Sequence, residues 1–252
     1  MFEVKRGKSS MISRHSKIVC TIGPATHSPR MIRKMMQAGM DVARLNFSHG
    51  THEEHAHSFS MLREAAMKMK KPIAILADLQ GPKIRTGPLA GGGTVLLRTG
   101  QRFVITTAKV LGDSTRVNTT FLALPREVKR GDRILLSDGL IELRVEKTDL
   151  HEVVCQVANG GILGEHKGIN LPGITLRVPA LTPKDRADLR FALLHGADYL
   201  AVSFVRRPED VELAKALVRR AKCETPVIAK LEKPEAIENL DEILRVADGV
   251  MV

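Results

Sequence analysis

The sequence is poor in aromatic side chains, with no tryptophan, one tyrosine and seven phenylalanines in 252 residues. A platform that stacks single-stranded nucleic acid needs several exposed rings, so that function is poorly supplied and no nucleic-acid partner is expected. Cysteine is also scarce. Cys20, Cys155 and Cys223 lie in or beside apolar segments, are odd in number and show no C-x-x-C spacing. This argues against a disulfide framework or zinc site and for reduced, core-like thiols. No apolar run approaches the ~18 residues that a membrane helix needs. The N-terminal MFEVKRGKSSMISRHSK lacks the apolar stretch and cleavage site of a secretory signal. A cytoplasmic protein without a membrane partner is therefore expected. Nucleotide-loop signatures are missing too: neither G-x-x-x-x-G-K-[ST] nor G-x-G-x-x-G occurs, and Gly91–Gly93 reads as a flexible linker.

Positive charge is abundant. Thirty-nine Lys and Arg against 28 Asp and Glu give a formal net charge of +11, which suggests an anionic partner. Nucleic acid, nucleotides and small phosphorylated acids all carry that charge, and charge alone does not choose among them. A hydrophobic content of 43% is enough for a substantial core, in one large domain or two smaller ones.

From residue 17 the chain alternates short apolar runs with helix-period segments. The runs are KIVCTI (17–22), DVARLNF (41–47) and PIAILADL (72–79). Between them, Ser28 and Pro29 read as N-cap and N1 of a helix ended by Gly39. Leu62, Ala65, Ala66 and Met69 form a helical stripe. The pattern then changes to short strands. In LIELRVE (140–146), Ile141, Leu143 and Val145 alternate with Glu142, Arg144 and Glu146, as in a half-exposed antiparallel strand. TVLLR, QRFVIT, RILLS and EVVCQV fit the same all-β region. The β/α alternation returns at residue 182, where Thr182, Pro183 and Asp185 resemble a capping box. Leu189, Ala192, Leu193 and Gly196 form the next helix's inner stripe. YLAVSF (199–204), PVIAKLE (226–232) and DGVMV (248–252) are the later strands, with a short helix between the last two. The expected organisation is a β/α domain over residues 1–87 and 181–252, interrupted by an all-β domain over 88–180. Repeated β/α units predict a parallel sheet. About six strands suit either a complete doubly wound sheet or an incomplete eight-stranded barrel.

Polar residues gather at the ends of the apolar runs, the edge where parallel β/α folds bind ligands. Arg44, Asn46, Ser48 and His49 close the second run. Asp78, Lys83 and Arg85 follow the third, Ser203 and Arg206 the fourth, and Lys230 and Glu232 the fifth. Two arginines and a lysine suit a phosphate or carboxylate. Lys230 and Glu232, two apart, would share one strand face. There the carboxylate could hold Mg²⁺ (or Mn²⁺) while the ammonium neutralises the same anion. Each residue also has a plainer reading. Lys230–Glu232 would then be an ion pair, Arg44 and Arg85 solvated rim arginines, His49 a loop histidine and Asp78 a cap.

At these residues the sequence resembles the pyruvate kinase family. KIVCTIGPAT (17–26), VARLNFSHGTHEEH (42–55), DLQGPKIRTG (78–87), GINLPG (168–173), LTPKD (181–185), YLAVSFVR (199–206) and AKLEKPEA (229–236) resemble its segments in order. The resemblance runs from about residue 17 to the last residue and implies the barrel: an incomplete (β/α)₈ TIM barrel with an inserted all-β lid after the third strand. It implies transfer of phosphate from phosphoenolpyruvate to ADP, giving pyruvate and ATP in glycolysis, by a homo-oligomeric parent. By the same resemblance Lys230 stabilises the moving phosphoryl group, Arg44 contacts substrate phosphate and Glu232 binds Mg²⁺. Asn46, Ser48, Asp78 and the Leu79 carbonyl line a monovalent-cation site. His49, Arg85 and Lys167 fall on the nucleotide side, and Ser203 and Arg206 support the rim.

The sequence departs from the family at several places. The A-R-G-D-L-G segment, with a second acidic metal ligand, would follow Val252, and Asp248 sits at the wrong end of its strand to replace that ligand. The expectation is therefore a fragment that is inactive alone. Ser137 stands where many relatives have Asp. Lys83 in G-P-K stands where K⁺-dependent relatives carry Glu, with Leu79 in place of Thr, so K⁺ is not expected to be required. The rival readings are a metal-dependent pyruvate or phosphoenolpyruvate aldolase or lyase, and a non-catalytic binding fragment.

Overall fold

The structure is a computed structural model that describes residues 15–82, 84–174 and 179–252. The chain divides into two compact units, one running to Gly81 and resuming over Ala180–Val252, the other spanning Pro82–Pro179.

The first unit alternates strands and helices: β1 (Ile18–Ile22), α1 (Pro29–Ala38), β2 (Met40–Asn46), α2 (His52–Met69) and β3 (Ala74–Asp78). The second unit holds β4 (Thr94–Leu97), β5 (Arg102–Thr106), β6 (Arg116–Asn118), α3 (Leu124–Glu127), β7 (Arg133–Leu136), β8 (Ile141–Thr148), β9 (Glu152–Asn159), β10 (Gly161–Gly164) and β11 (Ile169–Asn170). The first unit then resumes with α4 (Pro183–Leu194), β12 (Tyr199–Val202), α5 (Pro208–Arg220), β13 (Val227–Lys230), α6 (Pro234–Glu238), α7 (Leu240–Val246) and β14 (Gly249–Met251).

All pairings in the first unit's sheet are parallel, in the order β1-β2-β3-β12-β13-β14. Its fold is that of an incomplete (β/α)₈ barrel. β2 and β3 are matched so that Asn46 faces Asp78, and β3 and β12 so that Asp78 faces Ala201. Their C-terminal ends therefore lie level. Ile75, Ala77, Leu200, Val202, Val227 and Ala229 are wholly buried against the helices.

The helix ends explain why these segments are helical. At α1 the Ser28 side chain accepts from the Met31 amide, Pro29 occupies the first turn, and Gly39 ends the helix at φ 116°. The apolar stripe at Leu62–Met69 marks only the second half of α2. Its start is fixed by a capping box in which Thr51 and Glu54 bond each other's backbone amides. At α4, Thr182 and Asp185 do the same. Gly196, expected on the stripe of α4, instead lies in the turn beyond it at φ 72°. One short helix was expected before the last strand; two are present, α6 and α7, meeting at Asn239.

A repeated device locks the strand register. Asp41, Asp198 and Asp248 stand at or just before the starts of β2, β12 and β14. Each takes the amide of the first or second residue of a neighbouring strand: Ile18 at 2.8 Å, Ile75 at 2.6 Å and Val227 at 2.8 Å. The amides of Asp198 and Asp248 return bonds to the Ile75 and Val227 carbonyls. Three β/α repeats thus end their preceding turn on the same carboxylate, which satisfies a strand-start amide that would otherwise lack a partner.

The paired strands of the second unit are antiparallel apart from β5–β6, in sheets β10-β4 and β11-β7-β8-β9-β5-β6. Ile141, Leu143 and Val145 of β8 are buried, as their alternation predicts. β6, β10 and β11 were not expected; β6 and β11, at three and two residues, are too short to show a period, and β10 begins and ends on glycine. A Cβ at Gly87 would lie 1.7 Å from Asn118 Oδ1, so a larger residue there must displace the Asn118 side chain. The three cysteines are free thiols, and burial pushes the Cys155 thiol up to about 12.

Asp198→Ala should destabilise the first unit by about 1–2 kcal/mol, through the lost amide bond more than through its half-exposed Arg63 partner. Asp198→Asn, which keeps an acceptor, should recover most of that. Urea midpoints of the three proteins measure both effects; equal losses for Ala and Asn would show that the bond to Ile75 does not hold the register.

Candidate active site

The level strand ends of the first unit bring charged side chains to one edge. Asp78, the last residue of β3, is 1% exposed. A bare carboxylate there would be very costly, and two cations offset it. Arg44 donates from Nε to Asp78 Oδ2 at 2.7 Å, with Nη2 at 2.5 Å from the same oxygen. Lys230, at the end of β13, places its ammonium 3.2 Å from Asp78 Oδ1. That approach is an ion pair outside hydrogen-bond geometry, so Oδ1 accepts no hydrogen bond among the described residues.

Neighbouring strands steady both cations. Arg44 Nη1 donates to Thr21 Oγ1 on β1 at 2.9 Å. Lys230 donates to Ser203 Oγ at 2.9 Å, and Ser203 donates to the Leu79 carbonyl at 2.7 Å. Glu232 Oε1 lies 3.3 Å from the Lys230 ammonium, and Oε2 accepts from the Phe204 amide at 3.0 Å. β13 stops at Lys230, so Glu232 lies beyond the strand. The Leu231 amide still donates to the Met251 carbonyl just past the strand end. Phe204 holds φ 57°, a left-handed conformation uncommon for an aromatic residue, at the point where its amide meets the carboxylate.

The loop after β2 is ordered by its own side chains. Asn46 Oδ1 accepts from the Ser48 amide at 3.0 Å. The His49 carbonyl takes a bond from His55 Nε2 at 3.0 Å, and His55 stacks on Phe47 at 4.1 Å between ring centroids. Burial holds the His55 imidazole below its usual range, which favours the neutral ring this packing needs. The His49 side chain itself is exposed. Arg206 bonds Asp210 on α5, and its carbonyl accepts from Asn239.

Of the residues expected from sequence, Arg44, Asp78, Ser203, Lys230 and Glu232 form one connected cluster. Asn46 ends β2, Ser48 and His49 sit on the loop after it, and the Leu79 carbonyl is engaged by Ser203. Arg85 and Lys167 belong to the second unit. There Arg85 donates to the His166 carbonyl at 2.7 Å, and the Lys167 backbone exchanges bonds with Thr86. Lys83 lies outside the described residues. Thr21 was not expected; T-I-G at the end of the first run was its only signal. Asp248 is placed at the strand starts, bonded to Lys215 and Val227, away from this edge.

The arrangement offers a fixed pair of cations and an adjacent carboxylate with one partly exposed edge. A divalent ion fits that chemistry. No three carboxylate, imidazole or thiol groups converge among the described residues, but Mg²⁺ is commonly held by one or two carboxylates completed by substrate phosphate and water. Glu232, about one-third exposed, is the rim carboxylate available for this.

Comparison with known proteins agrees with this geometry. The chain matches the family described as pyruvate kinase, barrel domain, over residues 13–252. It is 47% identical over 240 residues to a pyruvate kinase of Thermococcus litoralis, an alignment covering 95% of this chain and 50% of that protein. It is 47% identical to a pyruvate kinase of Corynebacterium efficiens, covering 96% and 51%. A crystal structure of a pyruvate kinase from Cryptosporidium parvum superposes with a TM-score of 0.84 at 36% identity, covering 94% of this chain and 50% of that one. The chain thus spans about half the length of the curated relatives it matches. A parallel β/α sheet whose strand ends gather Arg44, Asp78, Lys230 and Glu232, with matches of this extent, places the chain in the pyruvate kinase family.

Proposed function

We propose that this chain carries the phosphoryl-binding part of a pyruvate kinase active site, in a protein that transfers phosphate from phosphoenolpyruvate to ADP. The observation that carries this reading is the convergence of Arg44 and Lys230 on one buried carboxylate, with Glu232 3.3 Å from the lysine ammonium. Phosphoryl transfer demands mainly positioning and charge compensation. In this reaction the bond between phosphorus and the enol oxygen breaks. A bond forms from phosphorus to a terminal oxygen of ADP, and the enolate left behind takes a proton on carbon to become pyruvate.

Arg44 grips the phosphate oxygens and Lys230 offsets charge as it shifts between the two oxygens. Asp78 keeps both cations in place and partly neutralises them, so the pair does not repel itself in the absence of substrate. Glu232 holds Mg²⁺ or Mn²⁺, whose contribution is to neutralise phosphate charge and orient the oxygens. His49, Arg85 and Lys167 are each assigned to nucleotide binding. Asn46, Ser48, Asp78 and the Leu79 carbonyl are assigned to the monovalent-cation site, and Lys83, which lies outside the described residues, is assigned the charge that K⁺ otherwise brings. The fixed ammonium that Asp78 Oδ1 already meets, Lys230 at 3.2 Å, supports a preference for positive charge there. The reaction belongs to glycolysis in the cytoplasm, and the enzyme of family length is a homo-oligomer. Among the described residues no helix is long and apolar enough to cross a membrane.

Two outcomes check this. The 252-residue polypeptide should bind phosphoenolpyruvate in Mg²⁺ with negligible turnover, because Glu232 is the one assigned metal carboxylate on the rim. Lys230→Met and Arg44→Met should each weaken binding about tenfold or more by calorimetry. In a chimera that supplies the rest of a relative's length, Lys230→Met should lower kcat by ~10²–10³ in a pyruvate-coupled assay. Unchanged binding and turnover in both variants would overturn the reading. The same chimera should be active in tetramethylammonium buffer free of K⁺, Na⁺ and NH₄⁺, and Lys83→Glu should make it K⁺-dependent. Strong activation of the unsubstituted protein by K⁺ would show that Lys83 does not take the ion's place.

A further inference from the structure

Asp185 is wholly buried, carries a charge, and belongs to none of the groups assigned to the reaction. Its first task is local. Oδ2 accepts from the Thr182 amide at 2.8 Å and hydroxyl at 2.5 Å, which starts α4. A helix cap can sit at the surface, and the other capping-box acid, Glu54, bonds its own cap amide across an exposed edge. Asp185 is buried because its second oxygen has a different partner. Oδ1 accepts from the Gly81 amide at 2.9 Å, a bond spanning 104 residues.

Gly81 is the last residue of the first unit before the chain enters the second, and Thr182 follows closely on its return at Ala180. One carboxylate therefore pins both connections on their first-unit side. Gly81 holds φ 69°, and a Cβ there would lie 2.9 Å from Ser203 Cβ and 3.1 Å from the Ser203 carbonyl. The Leu79–Gly81 backbone thus lies directly against Ser203. Ser203 bonds the Leu79 carbonyl and receives the Lys230 ammonium.

We propose that Asp185 is a positioning residue that, through Gly81, holds the Leu79–Gly81 backbone against Ser203 and so sets the place of the Lys230 ammonium. The consequence for catalysis rests on the kinase reading above; the consequence for geometry does not. A buried charge that ties two distant segments resists small displacements, because moving either segment strands the carboxylate. A lysine displaced by about 1 Å can cost up to ~10² in rate.

The test uses the 252-residue chain and three substitutions. Asp185→Asn keeps the side chain's shape but not two charged acceptor oxygens. Gly81→Ala presses on Ser203 from the other side and leaves the cap intact. Thr182→Ala weakens the cap and leaves the Asp185–Gly81 bond. Amide exchange at Gly81 and the Lys230 Cε resonance in lysine-labelled protein are read by NMR. The expected result is exchange at Gly81 faster by about tenfold in Asp185→Asn. The Lys230 resonance should shift in Asp185→Asn and Gly81→Ala, with neither change in Thr182→Ala. If Asp185→Asn fails to fold, Asp185→Glu, which keeps the charge but displaces its oxygens, is read by the same two probes, with the same changes expected and their absence overturning the proposal. Unmoved Gly81 exchange and Lys230 resonance in a folded Asp185→Asn, with a stability loss equal to that of Thr182→Ala, would reduce Asp185 to a helix cap. In the full-length chimera, Asp185→Asn should lower kcat about tenfold with a smaller change in KM for phosphoenolpyruvate. If the unsubstituted chimera shows no turnover, the kinase reading fails, while exchange and resonance still judge Asp185.

Discussion

The carboxylate of Asp78 is the constraint around which the first unit's functional edge is built. It is buried at the end of a central strand, between Ala77 and Leu79, which are themselves buried. A charge in that place is tolerated only with close partners of opposite sign. Arg44 reaches it from β2 and Lys230 from β13, across the strand that carries Ser203 into the gap. The pair is thereby held level with the strand ends, where an anion can meet both cations. Removing the carboxylate would leave two cations to repel each other. Removing either cation would leave the carboxylate underpaired.

The rest of the first unit serves to keep the strand ends level. Parallel strands slip easily in register unless their starts are fixed, since parallel pairing brings no tight turn. Here Asp41, Asp198 and Asp248 fix three starts by the same amide bond, and Arg63 reinforces one by bridging Asp198 to the Ile73 and Gly196 carbonyls. Capped helices fix the return of the chain. Asp185 joins these local devices to the edge itself, since one carboxylate serves both a helix start and the backbone beside Ser203.

Much of this was legible in the sequence, for reasons of range. Ser28, Gly39, Thr182 and Asp185 announced helix ends because capping is settled within three or four residues. The alternation in β8 was visible because one face is wet. Arg44, Asp78, Lys230 and Glu232 stood out because polar residues at the ends of apolar runs have one edge to occupy. What escaped was either too short or too distant. β6 and β11 lack the length to show a period. The partnerships of Thr21 with Arg44, Ser203 with Lys230, and Gly81 with Asp185 join residues 23, 27 and 104 positions apart, which no local pattern encodes. Lys230 and Glu232, expected to share one face, lie with their charged ends 3.3 Å apart, although β13 itself stops at Lys230.

The central claim is that Asp78 and Lys230 depend on each other energetically. A double-mutant cycle by urea unfolding, with Asp78→Asn, Lys230→Met and the two combined, measures this most directly. Each single change should cost about 2–4 kcal/mol by stranding its partner. The double variant should lose less than the sum by about 1 kcal/mol or more. Additive losses would mean that the ammonium 3.2 Å from the carboxylate does not stabilise it, and the edge would need another explanation.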